Sequence, residues 1–232
     1  MVTRHPLAAT VVMPWRATAD RIPAHDRCVD YWTSHGHPVI GADSNNPGKP
    51  FNRAQARNNA VAQATTSVVI IADADTLPAD HKHIERAVTI AAHHKAVWPY
   101  LIYRMLPADA VDVDDLTTVT PIRDYPVKWR PGGLTVITKV AYDQVGGYDE
   151  TFGSGWGFED GAFHLACQTL VKTVHIPGVA YAFDHSGGRR FDPVNKRKFW
   201  WYQRASGKPD QMRRLTQRGV DADRHSDPRP TG

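Results

Sequence analysis

Asp73-Ala74-Asp75 stands directly after the apolar run Ser67-Val-Val-Ile-Ile-Ala72. Two carboxylates on alternate positions at the end of a buried strand hold a hard cation, and a cation so held neutralises a diphosphate. In open α/β sheets ligands bind beyond the carboxyl ends of the strands, which gives the position its weight. Asp-x-Asp alone also describes a solvated turn with Asx hydrogen bonds. A second stretch, Gly153-Ser-Gly-Trp-Gly-Phe-Glu159-Asp160, combines glycines that let backbone approach a ligand with the flat apolar face of Trp156, a surface on which sugars stack. Glu159 and Asp160 fall in the first turn of the helix that follows, where the dipole favours ionised carboxylates, whether as acceptors for chemistry or as a simple N-terminal charge pair. The third is Phe183-Asp184-His185, a histidine just past a strand, either a metal ligand or a satisfied polar side chain.

To bring positions more than a hundred residues apart together, the chain needs a sheet whose strand ends converge. Short β-rich runs alternate with helical patterns, so the expected fold is α/β, one domain with a mostly parallel central sheet flanked by helices. The strands expected are Ala8–Met13, Pro38–Ala42, Ser67–Ala72, Ala96–Tyr103 and Leu134–Thr138, with Val174–Phe183 as a last strand or hairpin. One helix is expected over Asp26–Ser34 and another after Asn52, a good N-cap, through Ala64. A third opens at Pro78 and carries the stripe Ile84, Ala87, Val88, Ala91, Ala92. A short helix ends at Gly146-Gly147, and one from about Glu159 places Phe163, Cys167 and Leu170 on one face. Residues 1–202 form the expected domain, and 203–232, poor in apolar residues, a disordered basic tail.

Hydrophobic residues at 41% and charged residues at 22% are ordinary for a soluble globular protein. No run approaches the roughly 18 apolar residues a membrane span requires. Leu7–Val12 is too short for a signal peptide and is stopped by Pro14, so a cytoplasmic location without a membrane span is expected. Cys28 and Cys167 are too few and too far apart for a disulfide framework and are expected as buried free thiols. The net charge of +4 is unevenly spread: from Ser186 onward there are 12 Lys and Arg against five Asp, which leaves residues 1–185 at −3.

In order along the chain, the motifs resemble the β-1,4-galactosyltransferase family and its relatives of the GT-A fold, a Rossmann-like nucleotide-binding arrangement. Val11-Val-Met-Pro14-Trp15-Arg16 is similar to that family's first strand and Pro-aromatic-Arg motif, and Phe51-Asn52-Arg53-Ala54 to its Phe-Asn-Arg-Ala stretch. Asp73-Ala74-Asp75 matches its Asp-Val-Asp, the segment from Gly132-Gly133 to Lys139 its Gly-Gly-Val-Ser strand, and Gly146-Gly147-Tyr148 its Gly-Phe segment. Trp156-Gly157-Phe158-Glu159-Asp160 resembles its Trp-Gly-Gly-Glu-Asp, and His185-Ser186 its metal histidine. The resemblance runs from about residue 8 to 200; more distantly it reaches the polypeptide N-acetylgalactosaminyltransferases, which carry Asn where this chain has Asp160.

The resemblance implies a metal-dependent glycosyltransferase of compact bacterial or bacteriophage type. It would move a sugar, with inversion, from a nucleotide-diphosphate donor (a UDP-sugar) to a hydroxyl of a glycan or protein. It assigns Pro14, Trp15, Arg16, Asp43, Phe51 and Arg53 to the nucleotide and diphosphate, Asp73 to ribose or sugar, and Trp156 to acceptor and sugar. Asp75 and His185 would hold the metal, Mn2+ or Mg2+, with the imidazole favouring manganese. Asp160 would act as catalytic base with Glu159 beside it. Glycines 187 and 188 would hinge a lid over Ser186–Trp201 that carries Arg189, Arg190 and Lys196. Thr18, Gly161 and Ala182 stand where the family has a second arginine, a third acid and a methionine metal ligand. Three other readings remain: a retaining enzyme like the polypeptide transferases, a sugar nucleotidyltransferase, and a non-catalytic nucleic-acid binder using the basic end and Phe199-Trp200-Trp201-Tyr202. Met13-Pro-Trp-Arg-Ala offers no glycine-rich loop for the second of these, and nucleic acid is not expected as a partner.

Overall fold

The structure is a computed structural model that describes residues 8–45, 48–93, 95–128, 131–153, 157–185 and 192–218. Strand β1 (Ala9–Pro14) is buried along its whole length and pairs in parallel with β2 (Val39–Ala42), which follows helix α1 (Ile22–Ser34). Helix α2 (Arg53–Gln63) starts where expected, because the Asn52 side chain accepts a hydrogen bond from Gln55 N at 3.1 Å and satisfies a first-turn donor. Strand β3 (Val68–Ala72), Val-Val-Ile-Ile-Ala, is buried on both faces and lies parallel to β1 with Val11 opposite Ile70.

Past β3 the chain changes sheets. Asp73, Ala74 and Asp75 lead into the short strand β4 (Thr76–Pro78), so Pro78 does not open a helix. Helix α3 (His81–Ala91) begins instead at the N-cap Asp80, whose carboxylate accepts from Lys82 N, and buries Ile84, Ala87, Val88 and Ala91. The run expected as one strand over 96–103 divides into β5 (Lys95–Trp98) and β6 (Ile102–Leu106), which belong to different sheets. Strand β7 (Arg123–Pro126) pairs with β6, β8 (Leu134–Thr138) returns to the first sheet, and helices α4 (Lys139–Val145) and α5 (Glu159–Leu170) follow. Val174–Phe183 is likewise divided: β9 (Lys172–His175) joins β5 and β10 (Val179–Phe183) joins β4 and β6, so the two form no hairpin.

The six-stranded sheet has the order β2-β1-β3-β8-β5-β9, and a four-stranded sheet, β4-β10-β6-β7, adjoins it. The expectation of a mostly parallel sheet needs correction, because β8 runs antiparallel to both neighbours, with Val69 opposite Ile137 and Val97 opposite Val136. An apolar run reports burial on two faces but not direction, and β8 enters from the far end because the chain arrives from the second sheet.

Helices α6 (Pro193–Ala205) and α7 (Pro209–Arg218) pack on α5. The tail expected from 203 is therefore ordered through 218: Tyr202, Ala205 and Met212 are buried, three anchors enough to hold an otherwise polar pair of helices. Residues 219–232 lie outside the described residues, as do positions 186–191 of the expected lid. Cys28 and Cys167 are buried free thiols. Among the described residues no helix is long and apolar enough to cross a membrane.

Candidate functional site

Strand pairing accounts for the convergence of the three motifs. Because β10 pairs antiparallel with β4, with Ala182 opposite Thr76 and Phe183 N donating to Asp75 O, His185 falls beside Asp75. Its Nε2 lies 3.4 Å from Asp75 Oδ2. Because β8 pairs antiparallel with β3, Gly132 and Gly133 arrive at the same place, where Asp73 N donates to Gly133 O at 2.8 Å. Asp160 then fits against Gly132 only because that residue lacks a side chain: a Cβ there would lie 2.6 Å from Asp160 Oδ2.

These groups line one cavity of about 860 Å3, at the upper end for a single small-molecule site. Pro14, Phe51, Arg53, Asp73, Asp75, Glu159, Asp160 and His185 stand on its wall. Trp15, Arg16 and Asp43 sit beside it. Trp15 stacks on His25 with ring centroids 4.0 Å apart. Arg16 pairs with Asp43 at 2.9 Å and lies over the Phe51 ring at 5.3 Å. The hydrogen bonds from Arg16 hold the Asp43 carboxyl below the usual range. Trp156 lies outside the described residues.

Arg57, a residue the motif reading missed, organises the charge. It is 1% exposed, and its guanidinium reaches Asp73 at 2.6 Å, Asp160 at 3.2 Å and Glu159 at 3.6 Å, with its Cζ 4.8 Å from the centre of the Tyr148 ring. Arg53 Nε binds Glu159 Oε1 at 2.6 Å. Arg53 and Arg57 are one helical turn apart on α2, and that i, i+4 spacing behind the Asn52 cap was the available signal. Arg21, also unforeseen, approaches Asp75 Oδ2 at 3.3 Å.

Adjacent carboxyls are driven in opposite directions. Burial raises Glu159, but Arg53 and then Arg57 outweigh it and hold the group below its usual range. Burial raises Asp160 as well; Arg57 offsets only part of this, Glu159 and Asp73 add repulsion, and the carboxyl is pushed up to about 7. Asp75 is raised by burial and then by Asp73, against the pull of Arg21 and His185. Oε2 of Glu159 is buried and accepts no hydrogen bond among the described residues, while Oδ1 of Asp160 faces the Arg57 guanidinium at 3.2 Å.

For a divalent cation, the 3.4 Å between Asp75 Oδ2 and His185 Nε2 fits two donors on one ion at bond lengths of about 2.1 Å. No group of three or more His, Cys, Asp or Glu among the described residues is arranged to hold a metal alone. Among the described residues, Asp75 and His185 thus supply two donors to such an ion.

The catalytic domain of Drosophila β1,4-galactosyltransferase 7, in complex with xylobiose, superposes with a TM-score of 0.54 at 14% identity, covering 83% of this chain and 79% of that one. GalNAc-T7 with UDP, GalNAc and Mn2+ superposes with a TM-score of 0.53 at 15% identity, covering 85% of this chain and 49% of that one. This is the GT-A glycosyltransferase fold. Residues 120–178 of the GT-A chain also match the family described as the N-terminal domain of galactosyltransferase. That segment includes Gly132, Glu159 and Asp160 but neither Asp75 nor His185. No curated protein sequence matches the GT-A chain significantly.

Proposed function

We propose that this protein is a metal-dependent glycosyltransferase that moves a sugar from a nucleotide diphosphate, a UDP-sugar, to an acceptor hydroxyl with inversion. The observation that carries the reading is the meeting of Asp75 Oδ2 and His185 Nε2, 3.4 Å apart, in the cavity that Asp160 also lines. The GT-A fold and the galactosyltransferase segment support it, as do the UDP, GalNAc and Mn2+ bound to GalNAc-T7.

Asp75 and His185 would hold the metal, manganese by the chemistry of an imidazole and a carboxylate, and the bound ion supplies Lewis-acid neutralisation of the departing diphosphate. Arg16, Phe51, Pro14 and Asp43 form a shelf for the base and ribose, Trp15 backs that shelf, and Asp73 faces the ribose or sugar. Arg53 approaches the diphosphate while keeping Glu159 ionised. Asp160 accepts the proton of the acceptor hydroxyl as its oxygen forms the new bond to the anomeric carbon, and the diphosphate leaves with the electron pair of the broken C–O bond. The base works from the α5 side and the leaving group is held from the β4 and β10 side, so the displacement inverts the anomeric centre. Glu159, fixed by two arginines, holds the first turn of α5 in place for Asp160.

The test is donor hydrolysis across UDP-, GDP- and dTDP-sugars with and without manganese. Manganese-dependent turnover of a UDP-sugar that Asp75→Ala abolishes is the expected result. Turnover of none of these donors, or turnover indifferent to both manganese and Asp75→Ala, would overturn the reading.

A further inference from the structure

Gly161 follows Asp160 directly, and the Phe199 ring lies against it. A Cβ at Gly161 would meet Phe199 Cε2 at 2.8 Å and Cζ at 3.1 Å, so glycine is what lets the Phe199 ring of α6 settle on the first turn of α5. On the other side of the carboxylate pair, Phe158 is the only non-glycine among the described residues with positive φ, 77°. A left-handed conformation costs a bulky residue on the order of 1–3 kcal/mol, and such strain persists where the surroundings require it. Here it brings the Phe158 ring to 5.4 Å from that of Phe199, at 31°. Leu165, one turn beyond Gly161, completes the wall.

All three side chains are half-buried: they pack on the core from one side and line the cavity on the other. None carries a hydrogen-bonding group. A hydroxyl pointed at these three side chains would find no partner on them, whereas an apolar group gains about 25 cal/mol for each Å2 it buries. Gly161 to Leu165 spans about 6 Å of helix, so the wall begins at the residue after Asp160 and extends about the width of one ring.

We infer that the α5–α6 wall of the cavity, formed by Phe158, Leu165 and Phe199, is a subsite for an acceptor that carries an apolar aryl or alkyl group next to the hydroxyl to be glycosylated. The inference rests on the transferase reading above and adds the acceptor class to it. His164, Gln203 and Ser206 on the same wall supply polar contacts around the apolar patch for the rest of the acceptor.

The experiment supplies manganese with UDP-galactose, UDP-glucose and UDP-N-acetylglucosamine, and offers methyl, octyl and phenyl β-glycosides of glucose and xylose as acceptors. The quantity read is the ratio of kcat/KM for the octyl or phenyl glycoside over that for the methyl glycoside of the same sugar. The ratio is internal to each protein sample, so a change in folded fraction cancels. Wild type should give a ratio of roughly tenfold or more. Phe199→Ala should bring it to within about twofold of unity, and so should Gly161→Ala, whose methyl displaces the ring. A phenyl preference without an octyl preference marks an aromatic acceptor, and the reverse an alkyl chain. A wild-type ratio near one, or a preference that survives both substitutions, overturns the subsite. Donor hydrolysis that no apolar glycoside stimulates or inhibits overturns the subsite and leaves the transferase reading standing. No hydrolysis of any donor overturns both.

Discussion

At the carboxyl end of β1 and β3, five ionisable side chains share a small volume; at the amino end of β1, three imidazoles and a phenol do the same. The first group is Arg53, Arg57, Asp73, Glu159 and Asp160, joined by contacts of 2.6–3.6 Å. The second is Tyr31, His35, His37 and His81. There His81 Nδ1 faces the Tyr31 hydroxyl at 3.2 Å, His81 Nε2 faces His37 Nε2 at 3.4 Å, and His37 Nδ1 donates to Ala9 O at 3.0 Å. Read from that carbonyl, which only accepts, every proton has a place: His37 carries its hydrogen on Nδ1, His81 donates from Nε2, and Tyr31 donates to His81. Burial, then His35 and His37, lowers His81 to about 4, so it stays neutral. A half-exposed polar cluster whose hydrogen bonds are matched internally in this way stabilises the fold. The charged cluster is not closed: among the described residues Glu159 Oε2 accepts no hydrogen bond, Asp160 lines a cavity, and these two neighbouring acids are driven in opposite directions.

Removing the hub of the charged cluster is the largest perturbation. Arg57→Ala leaves three carboxylates gathered around a fully buried hole and should cost about 3–5 kcal/mol in urea unfolding, with transfer lost as well. A cost near that of a surface salt bridge would mean the carboxylates are neutral or solvated, and the contrast between the two clusters would collapse. Next comes Asp160→Asn, expected to lower transfer by about 10²- to 10⁴-fold while donor affinity is kept. The same carboxyl predicts a pH profile. It is pushed up to about 7, and a base works only when ionised, so kcat/KM should climb tenfold per pH unit below about 7 and level off above it. A flat profile from acid to neutral pH would show that Asp160 stays ionised and is not the limiting base.

The charged cluster and the proposed metal-ligand pair beside it were only partly legible in the sequence. Asp73, Asp75, Glu159, Asp160 and His185 stand in motifs whose order along the chain is distinctive, and the strand pairings of β3 with β8 and of β4 with β10 gather them. Arg57 stands in no motif, because a buried arginine on a helix looks like any surface arginine until the carboxylates that surround it are known. Strand direction was illegible for the same kind of reason. The run Leu134–Thr138 is buried on both faces whichever way it runs, and the antiparallel β8 follows from the chain's detour through the second sheet. The order of α7 depended on one buried methionine, Met212, in a segment whose average composition is polar. The histidine cluster was invisible as a unit, since His35 and His37 follow α1 while His81 opens α3.

The closed cluster gives smaller effects, and their sign follows from the folded-state value. An unfolded histidine titrates near 6.5, whereas His81 in the fold is held near 4. The neutral form is the one the fold favours, so the contribution is complete above about 6.5 and is lost as pH falls from there towards 4. Because His81 is partly exposed and Asp80 lies near it, on the order of 1–2 kcal/mol of that pH dependence should disappear in His81→Gln when unfolding is compared at pH 7 and near pH 4.5. Tyr31→Phe is the smallest and sharpest case. It deletes one hydroxyl, leaves the ring contacts with Trp32, His35 and His81, and removes the donor that faces His81 Nδ1. About 1 kcal/mol should be lost at neutral pH, because His81 Nδ1 is then left without its partner or turns to water. Donor hydrolysis should be unaffected, since the hydroxyl lies at the opposite end of β1 from the cavity. A change in turnover larger than the change in folded fraction would show that the two ends of the strand are coupled, and the division between a closed cluster and an open one would have to be abandoned.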